Sequence, residues 1–599
     1  MIAIVVLGDR SMNLARKVAA ALPGVEIHAP RQCRSPVDVT YAAVLDHLRD
    51  LFTAGTSIVF IGAAGIAIRA VAGSLTDKRD EPAVLAMAED GSVVVPLLGG
   101  HRGANALARD LAAATGAIAA MTTASDLRLR VALDEPPAGF ACPDPSPVKP
   151  LVVHLLEGGS VRLDDPLGLA AAAGLDELPI GGTSPWAMAI DHRQQSRHPQ
   201  RLVWHPRILA LGVGCERDVP PQQLVQHALT VLDEAGLDRS SVAVVVSLDL
   251  KSDEAAVHAL AAELNVPARF FSTAELLEQT ERLSAPSEAV FQEVGCYGVA
   301  EGAALAAVAQ HGTLLIPKRR GERVTCAVAA GMTPLDPGSI GRGRGRLAVI
   351  GVGPGQRSWR TREAEQQLGE ADDVVGYSLY LDLVADRIGA AKRHDFDLGE
   401  EEARCRHALK LAAQGRNVAL VCSGDAGIFA MASPLVELLE QPDDPAWRRI
   451  DLVVVPGISA MQAAAARLGA PLGHDFCAIS LSDLLTPRPD IERRVQAAAQ
   501  GDFVIAFYNP VSRRRRDLLP LAKEILLRHR PAETPVAIAR SLGRPEETID
   551  VTTLAGLQVD QVDMLSLVLV GSSNSRQLRL PSGRTLILTP RGYDRKTRP

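Results

Sequence analysis

The feature that most constrains this chain is a set of three glycine-cornered turns. They are Gly351-Val352-Gly353-Pro354-Gly355, Ser423-Gly424-Asp425-Ala426-Gly427-Ile428-Phe429, and Val455-Pro456-Gly457-Ile458-Ser459-Ala460. Each closes an apolar, β-branched run and passes without a long loop into a helix-like pattern, the signature of a βα unit. Three such junctions put pliable backbone corners on one edge of a sheet, the edge at which open α/β sheets bind ligands. The first turn has GxGxG spacing, with Pro354 between its last two glycines, and not the GxGxxG of a dinucleotide fingerprint. Taken alone, it is also explained by glycine's tolerance of positive φ.

The 599 residues call for several domains, and 47% hydrophobic with 22% charged residues supplies several cores. A net charge of -7 lacks the basic footprint of a nucleic-acid binder. No apolar run approaches a membrane span, and Met1-Ile2-Ala3-Ile4-Val5-Val6-Leu7-Gly8 reads as a first strand and not as a secretory leader. A cytoplasmic location is expected. The eight cysteines are spread singly with no CxxC pair, which argues against disulfides, a zinc ribbon or a cluster; no metal site is expected.

Along the chain, residues 1–135 alternate strand-like and Ala/Leu-rich runs and read as an α/β domain. A Pro-rich break leads into a weakly patterned stretch, read as a small irregular module over 136–206. A second α/β domain spans 207–330 and contains Ser272-Thr273-Ala274-Glu275, with capping-box spacing for a helix start. A Pro/Gly/Arg linker is expected over 331–346. A third α/β region covers 347–590, in lobes of about 347–470 and 471–590, before a basic tail at 591–599. The turn Gly212-Val213-Gly214 looks like the one at 351–353, as the same solution to a tight βα corner.

Residues 347–590 resemble the tetrapyrrole methyltransferases of cobalamin biosynthesis. The resemblance runs in order through Leu347 to Gly355, Asp373-Val374-Val375-Gly376-Tyr377, the turns at 423–429 and 455–460, and Phe507-Tyr508-Asn509-Pro510. Ile479 to Pro487 and Asn509 to Arg513 are most similar to the precorrin-3B C(17)-methyltransferase branch, which methylates C17 of the macrocycle and contracts the ring. The resemblance implies a two-lobe fold with S-adenosyl-L-methionine in the cleft, a tetrapyrrole partner and a homodimer through this half. It implies cofactor contacts at Gly424, Asp425, Ala426, Ile428, Phe429, Ser459, Ala460, Tyr508, Ala537 and Ala539. The first glycine turn, Gly353, Pro354 and Gly355, would face the tetrapyrrole, with Tyr377 and Ser482 near it. Gly424 and Gly427 would admit backbone close to the ligand, and Asp425 would accept from the ligand or cap the next helix. Arg513, after a Ser512 cap, would offer a guanidinium fork to substrate carboxylates, with Arg515 and Arg516 on a solvated face. Methyl transfer needs alignment more than a base. Ring contraction needs proton transfers, for which Asp483, Ser482 and Tyr377 are the polar candidates, each of which also suits an ordinary loop position.

Residues 1–320 resemble the cobalt-precorrin-5A hydrolases, which open a lactone and release acetaldehyde. The matching stretches are Gly99-Gly100-His101-Arg102-Gly103-Ala104-Asn105, Leu211 to Cys215 and Val294 to Leu305. His101, Lys78, Asn105 and Glu301 are the catalytic candidates this implies; a turn histidine suits acid–base work near neutral pH, and Glu301 equally suits a helix-start carboxylate on the surface. The 99–105 turn is shorter than the pattern of many relatives. The readings left open are a bifunctional enzyme, a methyltransferase whose first half only binds precorrin, a nucleotide-dependent oxidoreductase using both Gly-Val-Gly turns, and a non-enzymatic tetrapyrrole scaffold.

Overall fold

The computed structural model describes residues 2–593 apart from Pro23, 76–80, 101–102, 123–128, Arg130 and Arg513. The chain forms two compact units, Met1–Gly341 and Arg342–Pro599. Both are α/β, as the alternating runs require.

The first unit opens with a seven-stranded sheet. Its order is Val39–Tyr41, Val25–Pro30, Ile2–Val6, Ser57–Ile61, Val84–Met87, Val93–Leu98 and Ile118–Ala119. Neighbours run parallel except for the Val84–Met87 and Val93–Leu98 pair. Alternate residues of the central strands enter different cores: Ile4, Val6, Val59 and Ile61 on one face, Ala3, Val5, Ile58 and Phe60 on the other. Burial on both faces is why these strands read as continuous apolar runs.

The stretch expected to be irregular, 136–206, carries a four-stranded sheet of Phe140–Ala141, Arg201–Pro206, Ala187–Ile190 and Arg162–Asp164. These strands are two to six residues long, too short to show a period of two. Their order comes from packing, because Trp186, Met188 and Trp204 share one core with Leu209, Leu211 and Val245 of the following sheet. That sheet has the order Ala268–Phe271, Val242–Leu248, Leu209–Cys215, Val324–Ala330 and Thr313–Arg320. The capping box at Ser272 is present and starts the helix Thr273–Leu277.

Gly212 and Gly214 lie inside the strand Leu209–Cys215, not in a turn. A Cβ on Gly212 would meet the Ala300 carbonyl and come within 2.9 Å of Ala304 Cβ, so this glycine lets the helix Val299–Ala307 lie on the sheet. The two Gly-Val-Gly sequences are therefore different devices. Most of the stretch expected to be a linker also folds onto the first unit: Gly331 N–H donates to Ile208 O, Leu335 N–H to Arg207 O, and Arg269 to the carbonyls of Gly338 and Ile340.

The second unit has two lobes. The first is a five-stranded parallel sheet in the order Lys392–Phe396, Asp373–Tyr377, Asn417–Cys422, Arg346–Gly351 and Asp451–Val455. The second is a mixed sheet in the order Phe476–Ser480, Val504–Tyr508, Ser566–Val570, Pro535–Arg540 and Thr548–Thr553, beside a small three-stranded sheet. The helix Ala460–Leu468 packs Met461, Ala464 and Leu468 against Ala506, Ala537, Ala539 and Leu569 of the second sheet. It joins the lobes, since its N-terminus leaves the last turn of the first sheet.

Candidate functional site

The three glycine turns stand together at the carboxyl edge of the parallel sheet. Gly353 and Gly424 form a two-bond backbone bridge, with N–H to O distances of 3.1 and 2.8 Å. Both hold positive φ, 77° and 72°, the region that glycine enters without cost. A Cβ on Gly351 would lie 2.6 Å from Gly424 O; one on Gly457 would lie 2.5 Å from Gly351 O and closer still to Gly424 O. The corners thus touch backbone to backbone, and side chains are excluded from the contact. Steric demand falls on Gly351 and Gly457 rather than on Gly427, where an added Cβ would meet only Asp425 Oδ1, at 3.3 Å.

Asp425 fastens two of these turns. Its Oδ1 accepts from Gly427 N–H at 2.9 Å and its Oδ2 from Gly457 N–H at 3.0 Å. It does not cap the next helix, Ala432–Glu440, whose N-cap is Met431. Ala426 is fully buried in the core of the first lobe, so only its backbone can face a ligand. Ile428 is half-buried. Phe429 holds φ of 50° and exposes 53% of its surface. A bulky residue in that region stores strain, which concentrates at ligand sites. Its ring lies 5.1 Å from that of Tyr508. The pair makes an apolar aromatic wall beside the turns, a surface suited to a flat heteroaromatic ring.

Tyr508 ends a strand of the second lobe and reaches the first. Its hydroxyl accepts from Met461 N–H at 3.2 Å, and burial raises its pKa. Ser459, also buried, accepts from Gln462 N–H, while Gln462 Oε1 takes Ser459 N–H in a capping box. Ala460 follows, half-buried. Three N–H donors of the helix start are thereby satisfied, Met461 by Tyr508 of the second lobe and Gln462 and Ser459 by each other's side chains. Ala537 and Ala539 sit on a strand paired on both edges, with their methyls in the interlobe core. They carry packing there, not an open face.

On the other side of the first turn, Gly355 packs on a turn of the second lobe. A Cβ on Gly355 would lie 2.8 Å from Gly543 O and from Arg544 Cγ. Gly543 packs in turn on Pro354. Tyr377 ends the strand Asp373–Tyr377 at the same edge and meets Tyr380 edge-on, with centroids 5.2 Å apart.

Ser482 lies at the second sheet's own edge, where its N–H donates to Ser480 Oγ and Asn509 Nδ2 donates to the same oxygen. Asp483, expected as an acid–base group, pairs with Arg515 Nε at 3.2 Å. Arg515 is far from a solvated face: its side chain is 10% exposed and also donates to Asn509 O and Pro510 O. Burial lowers its pKa, and Asp483 counters that. Arg516 pairs at the surface with Asp560. Ser512 makes a local turn, accepting from the N–H groups of Arg514 and Arg515, and the helix starts only at Leu518. Arg513 lies outside the described residues.

In the first unit, His101 and Lys78 also lie outside the described residues. Asn105 is buried on the helix Ala104–Thr115. Glu301 is neither a surface carboxylate nor open to substrate. It is 3% exposed, and its oxygens accept from Ser284 N–H (2.8 Å), Ser284 Oγ (2.6 Å) and Lys318 N–H (2.6 Å). Burial alone would raise its pKa; those donors outweigh burial and leave the carboxyl below its ordinary value. Glu301 bolts together a loop, a strand and its own helix. No group of three or more His, Cys, Asp or Glu suited to a metal occurs among the described residues, and no helix among them is long and apolar enough to cross a membrane.

Two α/β lobes joined through one helix, with glycine corners and an aromatic pair at their junction, define a class of cleft-binding α/β proteins. Comparison with known proteins makes the class specific. Residues 346–558 match the family model described as Tetrapyrrole (Corrin/Porphyrin) Methylases. Residues 209–329 and 46–126 match the models described as Cobalamin synthesis G C-terminus and Cobalamin synthesis G N-terminal. A probable cobalt-factor III C(17)-methyltransferase of Salmonella typhimurium is 45% identical over 249 residues, covering 41% of this chain and 99% of that protein. A precorrin-3B C(17)-methyltransferase of Sinorhizobium sp is 43% identical over 253 residues, 42% of this chain and 97% of that protein. The cobalamin biosynthesis protein CobIJ of Mycobacterium tuberculosis is 44% identical over 253 residues, but only 48% of its length is matched. The crystal structure of the methyltransferase CobJ is 42% identical, covering 41% of this chain and all of that one, with a TM-score of 0.39. The chain belongs to the tetrapyrrole methylases, and carries cobalamin synthesis G segments ahead of its methylase region.

Proposed function

We propose that the second unit transfers a methyl group from S-adenosyl-L-methionine to C17 of a precorrin-3B or cobalt-factor III macrocycle, with ring contraction. The observation that carries this reading is the junction itself: the backbone-packed corners 351–353, 424–427 and 457, walled by Phe429 and Tyr508. The aromatic wall and the turn backbone fit an adenosyl group. The donor supplies an activated methyl on sulfur; the chain's residues contribute alignment, which alone can contribute much of a displacement rate. Tyr508 and the capped helix Ala460–Leu468 fix the wall to both lobes, and Asp425 keeps the turns in register. Identity of 45% with a relative matched over nearly its whole length supports this choice of substrate.

For the first unit we propose opening of a lactone with release of acetaldehyde on a related macrocycle, supported by the two cobalamin synthesis G matches. His101, Lys78 and Asn105 remain its candidates. The alternative, that this unit only binds precorrin, is favoured to the extent that Glu301 is fully engaged in structure. We also propose a homodimer through the second unit and a cytoplasmic location. The deciding experiment is mass spectrometry of products from precorrin-3B and from cobalt-factor III with labelled donor. A gain of one methyl supports the transfer, and its absence with both substrates refutes it. Acetaldehyde release by the parent chain but not by His101→Ala supports the hydrolase; none from the parent supports binding alone.

A further inference from the structure

Arg544 stands out as a cation with no side-chain partner among the described residues. It follows Ser541 and Gly543, both at positive φ, 47° and 70°. Its Cγ lies against Gly355, and its Nε is buried without a hydrogen-bond acceptor. The turn that presents it is stiff. Glu547 accepts from Gly543 N–H at 2.7 Å and from Arg467 Nε at 2.7 Å, and Arg467 stacks over Trp359 at 4.4 Å. The backbone that carries Arg544 is thus braced to the first lobe.

A second arginine of this unit, Arg404, is buried. Arg404, 3% exposed, donates from Nη2 to Glu401 at 3.0 Å, while its Nε is buried without an acceptor. Both arginines act electrostatically on Tyr380, whose phenol burial pushes up and the two cations pull back down. Tyr380 in turn meets Tyr377 at the sheet edge. Arg404 thus has the half-exposed Glu401 as its counter-charge, whereas Arg544, part-buried with its Nε covered, has none among the described residues. Desolvated charge without a counter-charge is costly and persists where an anion completes the site.

We infer that Arg544 is an anion subsite that anchors a carboxylate side chain of the macrocycle against the Gly353–Gly355 turn. This deepens the methyltransferase reading and rests on it for the identity of the ligand. A planar guanidinium fork matches a carboxylate in two parallel bonds, which a lysine cannot reproduce. The subsite explains why Gly355 is glycine, since a side chain there would displace the Arg544 stem. It also adds a sequence-distant residue to the recognition that Arg513 was expected to provide.

The test uses the full chain and the variants Arg544→Leu and Arg544→Lys. Binding of uroporphyrin III, an octacarboxylate, is followed by fluorescence quenching across a salt series, and donor binding by calorimetry. The expected result is uroporphyrin affinity lowered about tenfold or more in Arg544→Leu, the size of one lost charge-assisted contact, partly restored in Arg544→Lys, and a shallower salt dependence. Donor affinity stays at the parent value, and the melting temperature of Arg544→Leu is unchanged or raised, because a part-buried cation without a partner is gone. Parental uroporphyrin affinity and salt slope in Arg544→Leu overturn the inference, as does a lowered melting temperature accompanied by weaker donor binding, which marks a purely structural arginine. Failure of the parent chain to bind the donor counts against the methyltransferase reading instead, and leaves the uroporphyrin comparison to decide Arg544.

Discussion

Adding one methyl group at three neighbouring glycines separates the physical claims made for the junction. In Gly457→Ala the new Cβ would sit 2.5 Å from Gly351 O and closer to Gly424 O. The Gly424 carbonyl, the closer of the two, is held by Gly353 N–H and cannot rotate away without losing that bond. Relief requires the turns to part by about 1 Å. Overpacking costs roughly 1–3 kcal/mol and each backbone bond lost about 1 kcal/mol more, so about 3–5 kcal/mol is expected. In Gly424→Ala the nearest atom would be 3.8 Å away, and only the positive φ is penalised, at about 1–2 kcal/mol. In Gly427→Ala the contact is 3.3 Å, to Asp425 Oδ1, with no φ penalty; under about 1 kcal/mol is expected. Urea unfolding followed by a probe in the second unit, together with calorimetric titration of the donor, should rank the variants Gly457→Ala, Gly424→Ala, Gly427→Ala from most to least damaged in both measurements. If Gly457→Ala unfolds and binds like the parent, the backbone-packed junction does not exist in solution. If Gly427→Ala is the worst of the three, ligand contact and not turn packing governs the site.

Tyr508→Phe keeps the ring beside Phe429 but removes the acceptor for Met461 N–H; a stability loss of about 1 kcal/mol is expected, with donor affinity reduced several-fold, both read by melting with and without donor. Glu301→Gln places an amide where three donors converge, and should destabilise the first unit by about 2–4 kcal/mol while methyl transfer persists; a variant of parental stability that has lost acetaldehyde release would restore a catalytic role. His28 is buried, bonded at 2.8 Å to His47, and pushed down to about 4, by burial first and by His47 next. The fold therefore favours its neutral form: this contribution is complete above pH 6.5 and is lost as pH falls toward 4. It amounts to roughly 3 kcal/mol, and His28→Gln should flatten the pH dependence of melting in that window.

The sequence announced the glycine-cornered sheet edge better than it announced what supports that edge. Glycine corners after β-branched runs located the edge, and the Ser272 capping box was legible because its whole mechanism lies within four residues. The sheet of 136–206 was hidden, since strands of two to six residues have no measurable period and are ordered by Trp204 and its neighbours in the core. Gly212 looked like Gly353, yet one admits a helix against a strand and the other turns the chain. Arg544 gave no local signal, because an arginine in a polar loop reads as solvated until its neighbours are known.

By itself the amino-acid order determined where backbone could bend, which runs would be buried on both faces, and the family resemblance of each half. Only the folded molecule decided what Asp425, Glu301 and Arg515 do. A carboxylate or guanidinium has the same chemistry in every sequence, and its role depends on which donors and acceptors distant segments bring within about 3 Å of it, a distance that no spacing along the chain encodes.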